Sequence, residues 1–212
     1  MKGVNVANWS GVVVLSIALI GCGNDATEPN ETNFAAAVNA ALENEGAFCV
    51  PMQFPVALNS GDVVVNSDRR KQMQALESVG LVHATEYEAD ERSMFGGTRS
   101  AKLPRYDLTP AGAKYMGQVR RGAGEPVPAL CYGKPRLQRV VSWEGPRQVE
   151  ASMVAMVRYT YTIADLAPWA NDAAVQGAFR PIRERVRGAE TVEKVAPMRL
   201  NNTGWEVAGK LF

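Results

Sequence analysis

The sequence predicts an α+β protein in two units, a mixed N-terminal unit followed by an antiparallel C-terminal sheet carrying one packed helix. Two patterns lead there: apolar residues recur at helical spacing in the first half, and they alternate with period two from Met153 to Ile163 in the second. The 212 residues are 46% hydrophobic and 21% charged, a composition that fills a core and excludes a disordered or fibrous chain. With 23 basic against 22 acidic residues, no global field calls for nucleic acid or an acidic surface as partner.

A helix is expected from about Asn33 to Glu45, where Phe34, Val38, Ala41 and Leu42 share one face and Gly46 supplies the stop. Pro51 and Pro55 make the stretch from Phe48 to Leu58 extended, because each removes a donor and holds its predecessor in the β region. Ser67 caps a second helix lined by Met73, Leu76 and Val79 and ended by Gly80. Residues 81–87 and 103–108 read as strands of a hairpin around Gly96 and Gly97. Thr109 and Pro110 then open a helix running to about Gln118.

The order helix, strand, hairpin and the words ALESVGLV and RYDLTPAGAKYM, within residues 67–118, resemble the end of winged-helix domains. That resemblance implies a winged-helix-like shape and, in many members, DNA binding. Arg69, Arg70 and Lys71 open the helix that would read DNA, and Arg92, Arg99, Lys102 and Arg105 lie on the hairpin. Glu86, Glu88, Asp90 and Glu91 on the same hairpin repel phosphates, so no nucleic-acid partner is expected and the basic residues read as a solvated face.

In the second unit, Arg136 to Trp143 pairs with the alternating strand across a turn near Glu144 to Pro146. Helical material from Asp172 to Arg187 is interrupted by Pro181. A last hairpin joins Thr191–Leu200 to Trp205–Leu211 around Asn201, Asn202, Thr203 and Gly204. Tyr159 and Tyr161 read as core packing. Arg183 and Arg187, four apart on the short helix, either dock phosphates or the acidic first unit, or form a solvated face. Trp169, after Pro168, is either an exposed contact residue or a packed corner.

The chain opens with Met1 and Lys2 before an apolar run from Val12 to Ile20, nine residues where a membrane span needs about 20. The run closes on Leu19-Ile20-Gly21-Cys22, which resembles the lipobox of bacterial lipoprotein precursors. That resemblance implies removal of residues 1–21, a diacylglyceryl group on the Cys22 thiol and an acyl chain, such as palmitate, on its new amine. It also implies an outer-membrane destination facing the periplasm, since Gly23 rather than aspartate follows the cysteine. Residues 22–32 would be a flexible tether, being small, polar and acidic.

Export leaves Cys49 and Cys131 as an even pair in an oxidising compartment, expected to be bonded; two buried free thiols are the alternative. Residues 22–129 carry 10 basic and 14 acidic side chains and residues 130–212 carry 12 and 8, which with GAGEPVP at 122–128 divides the body into 33–121, a linker at 122–129, and 130–212. No GxSxG, SxxK, HExxH, P-loop or GxGxxG motif is present, and His83 reads as a structural histidine rather than an ion ligand. No cofactor, metal site or catalytic residue is therefore expected. The reading is a non-catalytic, lipid-anchored binding or structural module meeting an envelope protein or cell-wall component; an envelope hydrolase with an unrecognised site and a cytosolic winged-helix regulator are its alternatives.

Overall fold

The structure is a computed structural model and describes residues 25–92, 96–120 and 124–212. It is α+β, with a larger antiparallel sheet and a smaller one sharing a single buried core. The expected leader and the lipobox-like stretch ending at Cys22 lie outside the described residues.

Helix α1 (Glu31–Glu45) is capped by Asn30, whose side chain accepts a hydrogen bond from the Asn33 amide at 2.9 Å. Its buried stripe of Phe34, Val38 and Leu42 packs on β6 (Val127–Val149) and β9 (Gly204–Val207), with Phe34 5.5 Å from Trp143 and 5.1 Å from Trp205 between ring centres. Strand β1 (Phe48–Pro51) pairs with β6, which continues through β7 (Ser152–Ala164) to β8 (Lys194–Asn201) and β9.

The smaller sheet has the order β2-β4-β3, built from β2 (Val56–Ala57), β3 (Val82–Arg92) and β4 (Thr98–Leu108). Helices α2 (Ser60–Val64) and α3 (Asp68–Ser78) lie between β2 and β3 in the chain. Asn59 and Asp62 cap α2 reciprocally, and Ser67 caps α3. A short α4 (Pro110–Ala113) follows β4. Strand β5 (Met116–Val119) then joins the larger sheet on the far side of β6.

Several expectations change. The helix from Thr109 stops at Ala113, because residues 116–119 are drawn into pairing with β6; Gly112 within it packs so closely on Leu81 that a β-carbon would strike its carbonyl oxygen. Glu144 to Pro146 is no turn; Gly145, at φ +98°, forms a bulge, β6 runs on to Val149, and the chain reverses at Glu150. Residues 127–129 of the expected linker are strand, paired with β5 and, at Ala129, with β1 as well.

The division into 33–121 and 130–212 gives way to a nested arrangement. Pro51 and Gly117 both lie opposite Ala129, one on each side of β6, so the small sheet and its helices are an insertion into the larger one. Counted this way the charge asymmetry disappears, since residues 52–115 carry eight basic and eight acidic side chains. Helix α3 packs the insertion back onto α5 (Ala173–Ala178), where Gln72 Nε2 donates to the Ala178 carbonyl at 3.4 Å.

Residues 25–32 are not a free tether. Asp25 Oδ1 accepts from the Thr27 amide and hydroxyl at 2.9 and 2.7 Å, the Thr27 carbonyl accepts from Trp205 Nε1 at 3.1 Å, and α1 begins at Glu31.

Candidate functional site

An open groove of about 1130 Å³ lies between the C-terminal end of α1, strand β1 and helix α6 (Arg180–Gly188). Residues 46–52 all line it, and β1 ends the strand order of the larger sheet, so its outer edge has no strand partner. A smaller pocket of about 260 Å³ adjoins it, sharing Pro181, Arg185 and Phe212.

Arg185 stands where the two meet. Its guanidinium lies 4.5 Å from the centre of the Phe48 ring and 5.8 Å from that of Phe212, and Nη1 donates to the Tyr132 hydroxyl at 3.4 Å. The Tyr161 hydroxyl donates to the Arg185 carbonyl at 2.7 Å. Lys194 Nζ sits 5.3 Å from the Phe212 ring centre. Among the described residues neither Arg185 nor Lys194 has a carboxylate within 4.0 Å. Glu184, which also lines the pocket, is held at 2.6 Å by Arg180, and this bond keeps its carboxyl below the usual range.

The aromatic floor is close-packed. Phe48, Tyr161 and Phe212 meet edge to face at 4.8 to 6.2 Å. Burial pushes the Tyr161 phenol up to about 12 and raises Tyr132 and Tyr159 as well, so all three rings are neutral at physiological pH. Cations fixed over rings, beside an unpartnered strand edge, suit an extended acidic segment: main-chain hydrogen bonds would come from β1, and charge from Arg185, Arg120 and Lys210.

The residues singled out from sequence fall elsewhere. Cys49 and Cys131 are directly opposed in β1 and β6 and joined by a disulfide, with alpha carbons 3.9 Å apart; Cys49 lines the groove. Trp169 is a packed corner, 5% exposed, with Tyr115 and Tyr132 edge-on at 5.9 and 6.0 Å, which corrects its reading as an exposed contact. Arg183 and Arg187 turn towards α5: Arg183 Nη1 donates to the Gln176 carbonyl at 3.4 Å and Arg187 Nε to Gln176 Oε1 at 3.3 Å. They brace the α5–α6 corner rather than meeting the acidic residues of the first unit.

Arg185 shares their helix but faces the smaller pocket with Pro181 and Gly188, at positions i, i+4 and i+7. That spacing was the available signal, hidden by the arginines on either side.

His83 is exposed on β3, opposite Asp107. Arg70 donates to the Val63 carbonyl, and Lys71 pairs with Asp68 at 3.5 Å. Among the described residues, no group of three His, Cys, Asp or Glu could hold a metal ion, and no helix is long and apolar enough to cross a membrane. The chain matches no protein-family model, and no curated protein or solved structure is significantly similar to it.

Proposed function

We propose that the chain is a lipid-anchored envelope lipoprotein, acylated at Cys22 and facing the periplasm, whose body is a binding module rather than an enzyme. The observation that carries this reading is Leu19-Ile20-Gly21-Cys22 at the end of a short apolar run. The bonded Cys49–Cys131 pair is consistent with an oxidising compartment. The groove beside β1 is the binding surface, taking an extended acidic segment of an envelope partner.

Intact mass of the native protein from a membrane fraction tests the anchor. A diacylglyceryl and acyl adduct on a chain starting at Cys22 is expected, and a chain starting at Met1 with free thiols would refute it. Crosslinking in the envelope tests the groove: Arg185→Gln is expected to weaken partner capture roughly tenfold, the scale of one charge-assisted hydrogen bond from its guanidinium to an acidic group of the partner. Undiminished capture would move the binding surface elsewhere.

A second reading, a DNA-binding regulator, is favoured by the insertion's connectivity of short strand, two helices and hairpin in the order β2-β4-β3, which resembles a winged helix. Exposed Glu86, Glu88 and Asp90 on alternate positions of β3 weigh against it. Mobility-shift titration at low salt separates the readings, since a phosphate-contacting protein binds tightest there.

A further inference from the structure

We infer that the body stands directly on the bilayer, with the end of the larger sheet that carries the β8–β9 turn seated against the phospholipid headgroups. The inference rests on lipidation at Cys22. The tether expected from composition is packed from Asp25 onward, so only Gly23 and Asn24 separate the lipidated residue from the folded body.

Three steps of 3.8 Å between successive alpha carbons span at most about 11 Å, whatever their directions. The headgroup layer is itself about 5–8 Å deep on each side of a bilayer, so Asp25 cannot rise far above it.

Asp25 is not a loose end that could let the body swing away. The Asp25 carbonyl accepts from Asn33 Nδ2 at 2.7 Å and from the Glu28 amide at 3.0 Å, and the Thr27 carbonyl holds Trp205. Ala26 lies so close to Gly204 that a β-carbon there would come within 2.9 Å of its carbonyl oxygen. The first described residues are thus pinned to both α1 and β9. Whatever surface surrounds Gly204 approaches the membrane with them.

That surface is the turn Asn201–Gly204 and, at the same end of the sheet, the β6–β7 tip, as the register of Val154 with Arg199 requires. Asn202, Thr203 and Gln148 offer hydrogen-bonding groups, Arg199 is neutralised by Glu206 at 2.7 Å, and Val149 is the exposed apolar residue. Such a face is wettable by headgroups; exposed Arg147 and Glu150 stand together at the β6–β7 tip and exposed Asp25 and Glu28 lie beside the turn, so it is the short connection to Cys22, not charge attraction, that seats it. The groove opens at the other end of α1, roughly 22 Å along the axis of its 15 residues, turned towards the periplasm.

The test uses the full acylated chain in phosphatidylethanolamine and phosphatidylglycerol vesicles carrying a nitroxide on the lipid headgroup. One dye is placed at Asn202→Cys and, in a second protein, at Glu193→Cys, exposed just beyond the opposite end of β8 and so about 26 Å away. Quenching of at least about twofold at 202 and none at 193 is expected, with the effect at 202 lost when ten Gly/Ser residues are inserted after Gly23. Acylated protein with equal quenching at both positions, or quenching at 202 that survives the insertion, overturns the inference and leaves the lipoprotein reading standing. Absence of the acyl mass overturns both.

Discussion

Tyr159 and Tyr161 show how a buried hydroxyl can act without chemistry. Their phenols stay protonated because burial opposes the charge, up to about 12 for Tyr161 against about 10 in an unfolded chain. The folded value is the higher one, so this support is complete below about pH 10 and is lost as pH rises towards 12, where the unfolded chain sheds protons the folded one keeps. Phenolate absorbance followed with far-ultraviolet dichroism is expected to show ionisation and unfolding together; ionisation near pH 10 in an intact fold would contradict it. Cys49→Ala with Cys131→Ala is expected to cost about 2–5 kcal/mol in denaturant titration, because the bond closes a loop of sequence separation 82. Trp169→Ala is expected to cost about 3–5 kcal/mol through the cavity left between Tyr115 and Tyr132. The tyrosine stripe was legible from its period-two spacing with other apolar residues. Trp169 was not, because a tryptophan after proline looks the same from sequence whether the corner packs or projects.

Among elements, the sequence signals that survive are those carried by local chemistry. Ser67 and Thr109 cap helices, and α1 hides the residues its periodicity selects. Thr109 does more than cap: its hydroxyl donates to the Gly80 carbonyl at 2.7 Å while accepting from the Gly112 amide at 3.0 Å. Thr109→Val is therefore expected to cost about 1–2 kcal/mol, with thermal unfolding as the measurement. The capping box of α2 depends on acid. The Ser67 hydroxyl, and then the Asn59 amide, hold the Asp62 carboxyl below the usual range, so its contribution is present above about pH 4 and fades as pH falls through the lowered value. Illegible features were those set by distant partners: β5 in place of more helix, and the passage of β6 through Gly145 and Pro146. Both follow from an edge of β6 or β7 that only the assembled sheet supplies.

The whole molecule is one sheet interrupted by another. Which units α1 and β1 belong to could not be read from sequence, because pairing of β1 with residues 129–133 spans 82 positions and leaves no periodic trace. Pro51 and Gly117 sit about 10 Å apart across one strand, a gap that a few residues close. Replacing residues 54–114 with a short Gly/Ser linker is thus expected to keep the sheet's dichroism and the Cys49–Cys131 bond. It should also lower stability, since α5 loses its cover from α3. A chain that fails to fold would show the insertion to be integral. The same bond sits at the neck of the insertion and gives the molecule a tolerance to cutting. A protease that severs any single peptide bond between Cys49 and Cys131 leaves two fragments still covalently joined. Such a nicked molecule migrates as one species until a reductant is added, so a cut in the β3–β4 hairpin would not part the two halves of the chain.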